Sequence, residues 1–367
     1  MNTDIVIYVE DPGAANMVLG LVDALAQNGL AARLFAGGTA RRYLTARDEA
    51  FVDVDVLAPG VATSTPLLVV GTSEAPTSPA HDLVIQARAA RVLSVGLVDR
   101  PASASSRFRG TGTDPIAFAP DRLIVPDEST RDAFAALGIV PARVALAINP
   151  ALERARARAA TLVDEDRIAL RERLFGLVDG PVIVFLSEVS DGLDPQDFRR
   201  NAEYTLQGRG GRDDRTGIVF ETLVDAAAAL RPRPHIVVRL HPKETTADWA
   251  ADAAEALMFN DDDDPLTLCH AADLVVGMTT MLLSECRTMG IDTLSILPRK
   301  IERGWLADVT NRRIKCVHTA DDVRDVLAQR LTSPLVGRRL DTDIALPTVA
   351  DTLIELVAKS EVAYAPA

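Results

Sequence analysis

At 367 residues the chain is long enough for two domains of ordinary size, and its 48% hydrophobic content suffices for packed cores. A net charge of -13 and a pI near 4.9 argue against a nucleic-acid polyanion as partner. The three cysteines, Cys269, Cys286 and Cys316, have no metal-ligand spacing and predict reduced thiols in a cytoplasmic protein. The N-terminus enters a strand directly, so no signal peptide is expected. No apolar run approaches the roughly 18 residues of a membrane span.

In chain order, short apolar runs at Ile5–Val9, Ala32–Phe35, Leu67–Val70, Val92–Leu97, Arg122–Val125 and Val144–Ala147 read as strands. Between the first two, Met17–Asn28 has helical spacing and Gly29 as its stop. Such alternation predicts βαβ units and a parallel sheet. The same grammar restarts with strands at Val182–Leu186, Ile236–Leu240, Leu274–Val276 and Leu294–Ile296, and a helix over Ile218–Leu230. The fold class expected is therefore α/β with two Rossmann-like domains. The charged stretch "LERARARAATLVDEDRIALRERL" reads as a solvated helix or linker between them. The domains are placed at residues 1–160 and 161–345. Residues 346–367 follow as an amphipathic helix with a Thr-x-x-Asp start, expected to cross back to the first domain.

Two segments break the pattern. Ser187–Gly217 is a long polar insert carrying Arg199, Arg200, Arg209, Arg212 and Arg215. Loops of that length tend to be functional or disordered. "NDDDD", Asn260–Asp264, reads as an acidic surface turn and helix lead-in.

Open α/β sheets bind ligands at the carboxyl ends of their strands, so the residues after each strand are the site candidates. After the first strand come Glu10, Asp11, Gly13 and Asn16. Two acids there argue against a simple phosphate cradle, although a glycine-containing turn into a helix usually suits an anion. Asp11 could act as a general base toward a hydroxyl, and Asn16 could bind a sugar hydroxyl or cap the helix. Asp is equally a favoured residue for starting a Pro-Gly turn. Strand alternation points Glu10 the other way. Ser73 with Glu74, and Asp99 with Arg100, are further polar strand ends.

In the second half, "HIVVRL" runs into His241-Pro242-Lys243-Glu244. His241 is a donor or acid/base candidate, and Lys243, one of four lysines, a phosphate ligand. The alternative is a strand-capping His and a solvated Lys. Gly277-Met278-Thr279-Thr280 then leads into a helix bearing Ser284 and Glu285. Small and hydroxyl residues at a helix start let amides approach a phosphate, and Glu285 could reach a ribose. A Thr N-cap on a core helix explains the same residues.

"RLHPKE", the Ala-Asp strand, the small-residue loop, the Glu-bearing helix and "GIDTLSILP" together resemble the C-terminal domain of GT-B glycosyltransferase-like proteins. That group includes non-hydrolysing UDP-N-acetylglucosamine 2-epimerases, CDP-glycerol glycerophosphotransferases and related bacterial polysaccharide-biosynthesis proteins. The resemblance implies two Rossmann-like domains facing across a cleft. It also implies a nucleotide diphosphate held by the loop and helix start at Thr279 and Thr280, with Glu285 on the ribose. "SVGLVDRPASASSRF" is similar to a first-domain segment of the polysaccharide branch, which singles out Asp99, Arg107 and Phe108; "VFLSEVSD" places Glu188 after the first strand of the second domain. Thr279-Thr280 stands where the epimerases usually have Gly-Gly and looks closer to the hydroxyl pair of the CDP-glycerol enzymes.

The expected activity is metal-independent glycosyl transfer from a nucleotide-activated sugar or polyol to a hydroxyl-bearing acceptor, in polysaccharide or secondary-metabolite assembly. Asp11, Asp99 and His241 are its catalytic candidates. Gly13, Asn16, Glu188, Lys243, Gly277, Thr279, Thr280 and Glu285 are its binding candidates. No cofactor is expected beyond the nucleotide-sugar substrate. The alternatives are a sugar-nucleotide 2-epimerase and a non-catalytic relative that keeps the fold. The apolar positions leave oligomeric state open.

Overall fold

The computed structural model describes residues 5–53, 65–162, 167–176, 179–189, 198–259, 264–332 and 346–364. It divides into two compact units, residues 1–153 with 344–367, and residues 154–343.

The first unit carries seven strands: β1 (Ile5–Val9), β2 (Ala32–Ala36), β3 (Val52–Asp53), β4 (Leu67–Gly71), β5 (Leu93–Leu97), β6 (Arg122–Val125) and β7 (Val144–Leu146). Its helices are α1 (Pro12–Val18), α2 (Leu21–Gln27), α3 (Ala40–Thr45), α4 (Pro79–Ala90), α5 (Glu128–Ala136) and the start of α6 (Pro150–Leu162). All described pairings are parallel and run in the order β3-β2-β1-β4-β5-β6-β7. The order reverses between β1 and β4, which makes their carboxyl ends the switch point of this sheet. Strand alternation divides the core. Ile5, Ile7 and Val9 pack with residues of α1 and α2 on one face, and Val6 and Tyr8 pack with α4 on the other.

The second unit continues with α6 and α7 (Arg167–Phe175), then β8 (Val182–Leu186), α8 (Arg215–Ala228), β9 (His235–Arg239), β10 (Leu257–Phe259) and α9 (Pro265–Ala271). It ends with β11 (Leu274–Gly277), α10 (Met281–Thr288), β12 (Thr293–Ile296), α11 (Ala307–Thr310), β13 (Lys315–Val317) and α12 (Ala320–Thr332). The sheet is again parallel, ordered β10-β9-β8-β11-β12-β13, with its switch point between β8 and β11. Two parallel sheets in Rossmann-like units are the architecture expected from the alternating pattern.

Several local readings change. The single helix expected over Met17–Asn28 is two helices, because Gly20 takes a left-handed φ of +71° and its N–H turns to the Glu49 carboxylate at 3.0 Å. The charged stretch after Pro150 is no bare linker, since Ala155, Ala159, Leu162 and Leu170 are buried in the second unit's core. The Arg-rich insert is largely neutralised by local acids: Arg199 pairs with Asp213, Arg209 with Asp225 and Glu255, and Arg212 with Asp252. Residues 260–263 of the acidic run lie outside the described residues, while Asp264 caps α9 by accepting from the Leu266 N–H at 3.2 Å.

The C-terminal helix α13 (Val349–Tyr364) starts with the Thr-x-x-Asp pattern as a reciprocal cap. Thr348 N–H donates to Asp351 at 3.1 Å, and Asp351 N–H donates to the Thr348 hydroxyl at 3.0 Å. It belongs to the first unit, where Val349, Ala350, Leu353 and Val357 join the α1–α2 face of the core. No described helix is long and apolar enough to cross a membrane.

Leu353 is fully buried on this helix. Leu353→Ala should therefore destabilise the first unit by about 2–5 kcal/mol, and Leu353→Met by less than about 1.5 kcal/mol, in equilibrium denaturation.

Candidate functional site

In the first unit the polar residues after β1, β4 and β5 sit on neighbouring strand ends. Glu10 is half-buried, and its backbone is pinned: its carbonyl accepts from Ala40 N–H at 2.9 Å, and Gly37 N–H donates to the Val9 carbonyl at 2.9 Å. Gly38 makes this closeness possible, since a Cβ there would lie 2.8 Å from the Glu10 carbonyl oxygen, at a φ of +50°. Alternation carries Glu10 to the Tyr8 face, as the sequence predicts, and that face holds the N-terminus of α4. Ser78, the N-cap of α4, donates its hydroxyl to Glu10 Oε1 while accepting from Ala80 N–H at 3.1 Å. Tyr8 Oη donates to Glu10 Oε2 at 3.5 Å, and the Ser73 hydroxyl is a further donor. Burial pushes the Glu10 carboxyl above its ordinary range; the Ser78 hydrogen bond pulls back and the Asp11 charge adds to the rise. Burial and the Glu10 charge likewise keep the Tyr8 phenol protonated.

Asp99, after β5, has a different setting. It pairs with Arg107 at 3.1 Å, and this buried guanidinium also donates to Thr72 Oγ1 at 2.6 Å and to the Ala102 carbonyl at 3.0 Å. The other Asp99 oxygen lies against Gly13, where a Cβ would stand 3.0 Å away. Two binding and catalytic candidates, Gly13 and Asp99, thus meet. Asp11 is the N-cap of α1 in an extended conformation, without a side-chain cap bond, and Asn16 is half-buried on the same helix. Phe108 is core, packed on Phe134. His81, which the sequence reading passed over, stacks on Phe118 at 4.5 Å with Nε2 3.4 Å from the Arg107 carbonyl. Burial lowers its pKa and favours the neutral ring.

The second unit gathers Glu188, Thr279 and Thr280 at its switch point. Glu188 Oε1 accepts from the N–H groups of Met278, Thr279 and Thr280 at 3.1, 2.6 and 2.9 Å. Its Oε2 accepts from the Thr279 hydroxyl and from Arg215, both at 2.9 Å. A side-chain carboxylate therefore fills the amide nest at the start of α10, the place where the sequence suggests a phosphate. Arg215 is fully buried and also donates to Glu302 at 2.7 Å, and Arg299 closes the chain by donating to Glu302 at 2.9 Å. The Phe198 and Trp305 rings lie 5.9 and 5.4 Å from the Arg215 guanidinium. Burial alone would raise the Glu188 carboxyl, yet the Arg215 charge and the donated hydrogen bonds hold it below the usual carboxylate range.

The other candidates here have structural duties on the page. Thr280 is the N-cap of α10, accepting from Leu282 N–H at 3.3 Å. Gly277 is buried where a Cβ would press on Leu283 at 3.2 Å. Glu285 is half-buried on α10. The His241–Glu244 turn is closed by His241 N–H donating to Glu244 at 2.7 Å and by Lys243 N–H donating to His241 Nδ1 at 3.2 Å. Accepting at Nδ1 leaves Nε2 to carry the proton of the neutral ring. Lys243 is exposed. Because β9 neighbours β8 and β8 neighbours β11, this turn shares a sheet edge with Glu188 and Thr279.

The solved structures most informative about this architecture share little sequence with it. A UDP-GlcNAc 2-epimerase from Neisseria meningitidis bound to UDP-GlcNAc superposes with a TM-score of 0.64 at 10% identity, over 97% of this chain and all of that one. The Methanocaldococcus jannaschii UDP-GlcNAc 2-epimerase in complex with UDP-GlcNAc and UDP gives 0.63 at 9%, over 97% and 99%. An Anabaena protein in complex with UDP-glucose gives 0.53 at 13%, over 98% and 99%. The chain has the GT-B-like fold. No protein-family model matches this GT-B-like chain, and no curated protein does.

Removing Glu188 would leave Arg215 short of a counter-charge and three amides unpaired. Glu188→Ala should cost about 3–5 kcal/mol in equilibrium denaturation. The sign with pH follows from the lowered folded pKa. The contribution is complete above the unfolded carboxyl value of about 4.3 and is lost as pH falls through the folded value. Glu188→Gln should therefore flatten the acid limb of the stability profile relative to the parent protein.

Proposed function

We propose that this protein is a sugar-nucleotide-processing enzyme, and that 2-epimerisation of a UDP-sugar is its reaction ahead of glycosyl transfer. The observation that carries the reading is the gathering of Glu10, Asp11 and Asp99 on the strand ends around the first unit's switch point, in a fold shared with UDP-GlcNAc 2-epimerases. Epimerisation at C2 needs carboxyls that take and return a proton, and a GT-B-like scaffold supplies the nucleotide-binding half. Glycosyl transfer, which the sequence alone ranks first, has no comparable support among these neighbours. In this reading the strand-end acids of the first unit, Asp99 among them, serve proton transfer, and His241 and Lys243 are the second unit's candidates for the nucleotide's phosphates. A phosphate would reach the Met278–Thr280 amides only in exchange for the Glu188 carboxylate, so Lys243 carries more of the anion recognition than the helix start.

The test is incubation with UDP-GlcNAc and a panel of other sugar nucleotides in heavy water, followed by proton NMR. The expected result is solvent deuterium at C2 and growth of the 2-epimer. Release of free nucleotide to an acceptor without epimer would favour transfer, and absence of binding to every nucleotide would leave the non-catalytic alternative. Lys243→Ala should weaken nucleotide binding, whereas Asp99→Asn should lower kcat by roughly 10²–10⁴-fold with binding kept. Equal losses of turnover and affinity in both variants would contradict this division of labour.

A further inference from the structure

Glu10 and Asp99 occupy strand ends two places apart in the sheet, separated by β4, hence on the order of 10 Å at the backbone. Their surroundings are opposite in kind. Asp99 faces a guanidinium, and Arg107 is fixed in turn by Thr72 and the Ala102 carbonyl. Glu10 faces hydroxyls: Tyr8 from its own strand, Ser73 from the end of β4, and Ser78 from the cap of α4. The charged groups that act there are Asp11 on Glu10 and, through Tyr8, Arg41 of α3, which pairs with Asp53 at 2.9 Å. No cation is bonded to the Glu10 carboxyl in the described structure. A carboxyl held among hydroxyls and a carboxyl held by a guanidinium are two distinct settings, and such a difference of setting is the ground for giving two acids different roles.

We propose that Glu10 is the proton donor of the first unit, working with Asp99 as the acceptor on the same substrate. The assignment rests on the sugar-nucleotide reading and names a group that the sequence pattern set aside in favour of Asp11. The balance is simple. Asp99 enters as carboxylate and takes the C2 proton while the C2–H electrons form a C1–C2 double bond and the C1–O bond to the nucleotide diphosphate breaks. As the diphosphate oxygen rebonds to C1 those electrons return to C2, where Glu10, entering as the neutral acid, supplies a proton on the opposite face. The pair leaves as neutral Asp99 and ionised Glu10, and exchange with water restores both. Preorganisation favours Glu10 for this role. The Gly38 turn fixes its backbone, and the surrounding hydroxyls fix its carboxyl, so little rearrangement precedes transfer. Burial acts in the same direction by keeping the proton on Glu10 at higher pH than an exposed glutamate would.

The experiment is the pH dependence of kcat for the parent protein, Glu10→Gln, Glu10→Asp and Ser78→Ala on whichever sugar nucleotide is turned over, with nucleotide affinity measured for each. A donor must be protonated, so parent activity falls on the alkaline side as Glu10 ionises. Glu10→Gln should lower kcat by roughly 10²–10⁴-fold, spare affinity and abolish that alkaline limb. Glu10→Asp should restore part of the rate. Ser78→Ala removes the hydrogen bond that most favours the ionised form and should move the limb to higher pH. Parent-level kcat with an unchanged pH profile in Glu10→Gln would overturn the proposal and leave the sugar-nucleotide reading standing. A parent protein that turns over no sugar nucleotide would overturn both.

Discussion

A guanidinium with no solvent contact, Arg215, is the constraint around which the second unit is arranged. A buried cation needs matched counter-charges, because its own desolvation is far larger than any single hydrogen bond returns. Glu302 and Glu188 supply them, and each must then be satisfied in turn: Glu302 by Arg299, Glu188 by the amides opening α10. The carboxyl end of β8, the start of α8, the start of α10 and the turn after β12 are therefore held by one alternating line of charges. Moving any one of these elements separately would strand a charge.

That line explains why the helix start at Met281 does not behave as a vacant anion site. The amide nest there is what a phosphate would find attractive, for the usual reasons of unpaired N–H groups and the helix dipole. Here the chain places its own carboxylate in the nest and balances it with Arg215. Any anion brought to that helix start would have to compete with a ligand already tethered at high local concentration. The exposed Lys243, on the same sheet edge, meets no such competitor from within the nest.

Much of the scaffold is legible in the sequence for a plain reason. Strands of a parallel sheet are buried on both faces, so β1, β4, β8 and β11 read as unbroken apolar runs. The edge strands at Val52–Asp53, Leu257–Phe259 and Lys315–Val317 escape notice because they are two or three residues long. The Gly20 break was missed because helical spacing resumes in register after it. At the candidate site, position was legible and partnership was not. Asp99, Glu188 and Thr279 could be placed at strand ends from the pattern. The partners that define their chemistry lie far off in sequence: Ser78 is 68 residues from Glu10, and Glu302 is 87 from Arg215. Alternation correctly sent Glu10 away from the Val9 face. It could not reveal that a helix cap waits on the other side.

The two units place acids at the same topological position in different settings, and the nature of the partner tells them apart. Glu188 is closed in by a cation, a hydroxyl and three amides, all donors to the ionised form, so its charge is fixed and its duty is mechanical. Glu10 is surrounded by hydroxyls that serve either protonation state, since a hydroxyl can donate to a carboxylate or accept from a carboxylic acid. A side chain in the first kind of setting resists a change of charge, and one in the second tolerates it. Burial alone therefore does not set how firmly a carboxyl holds its charge here; the number of obligate donors around it does.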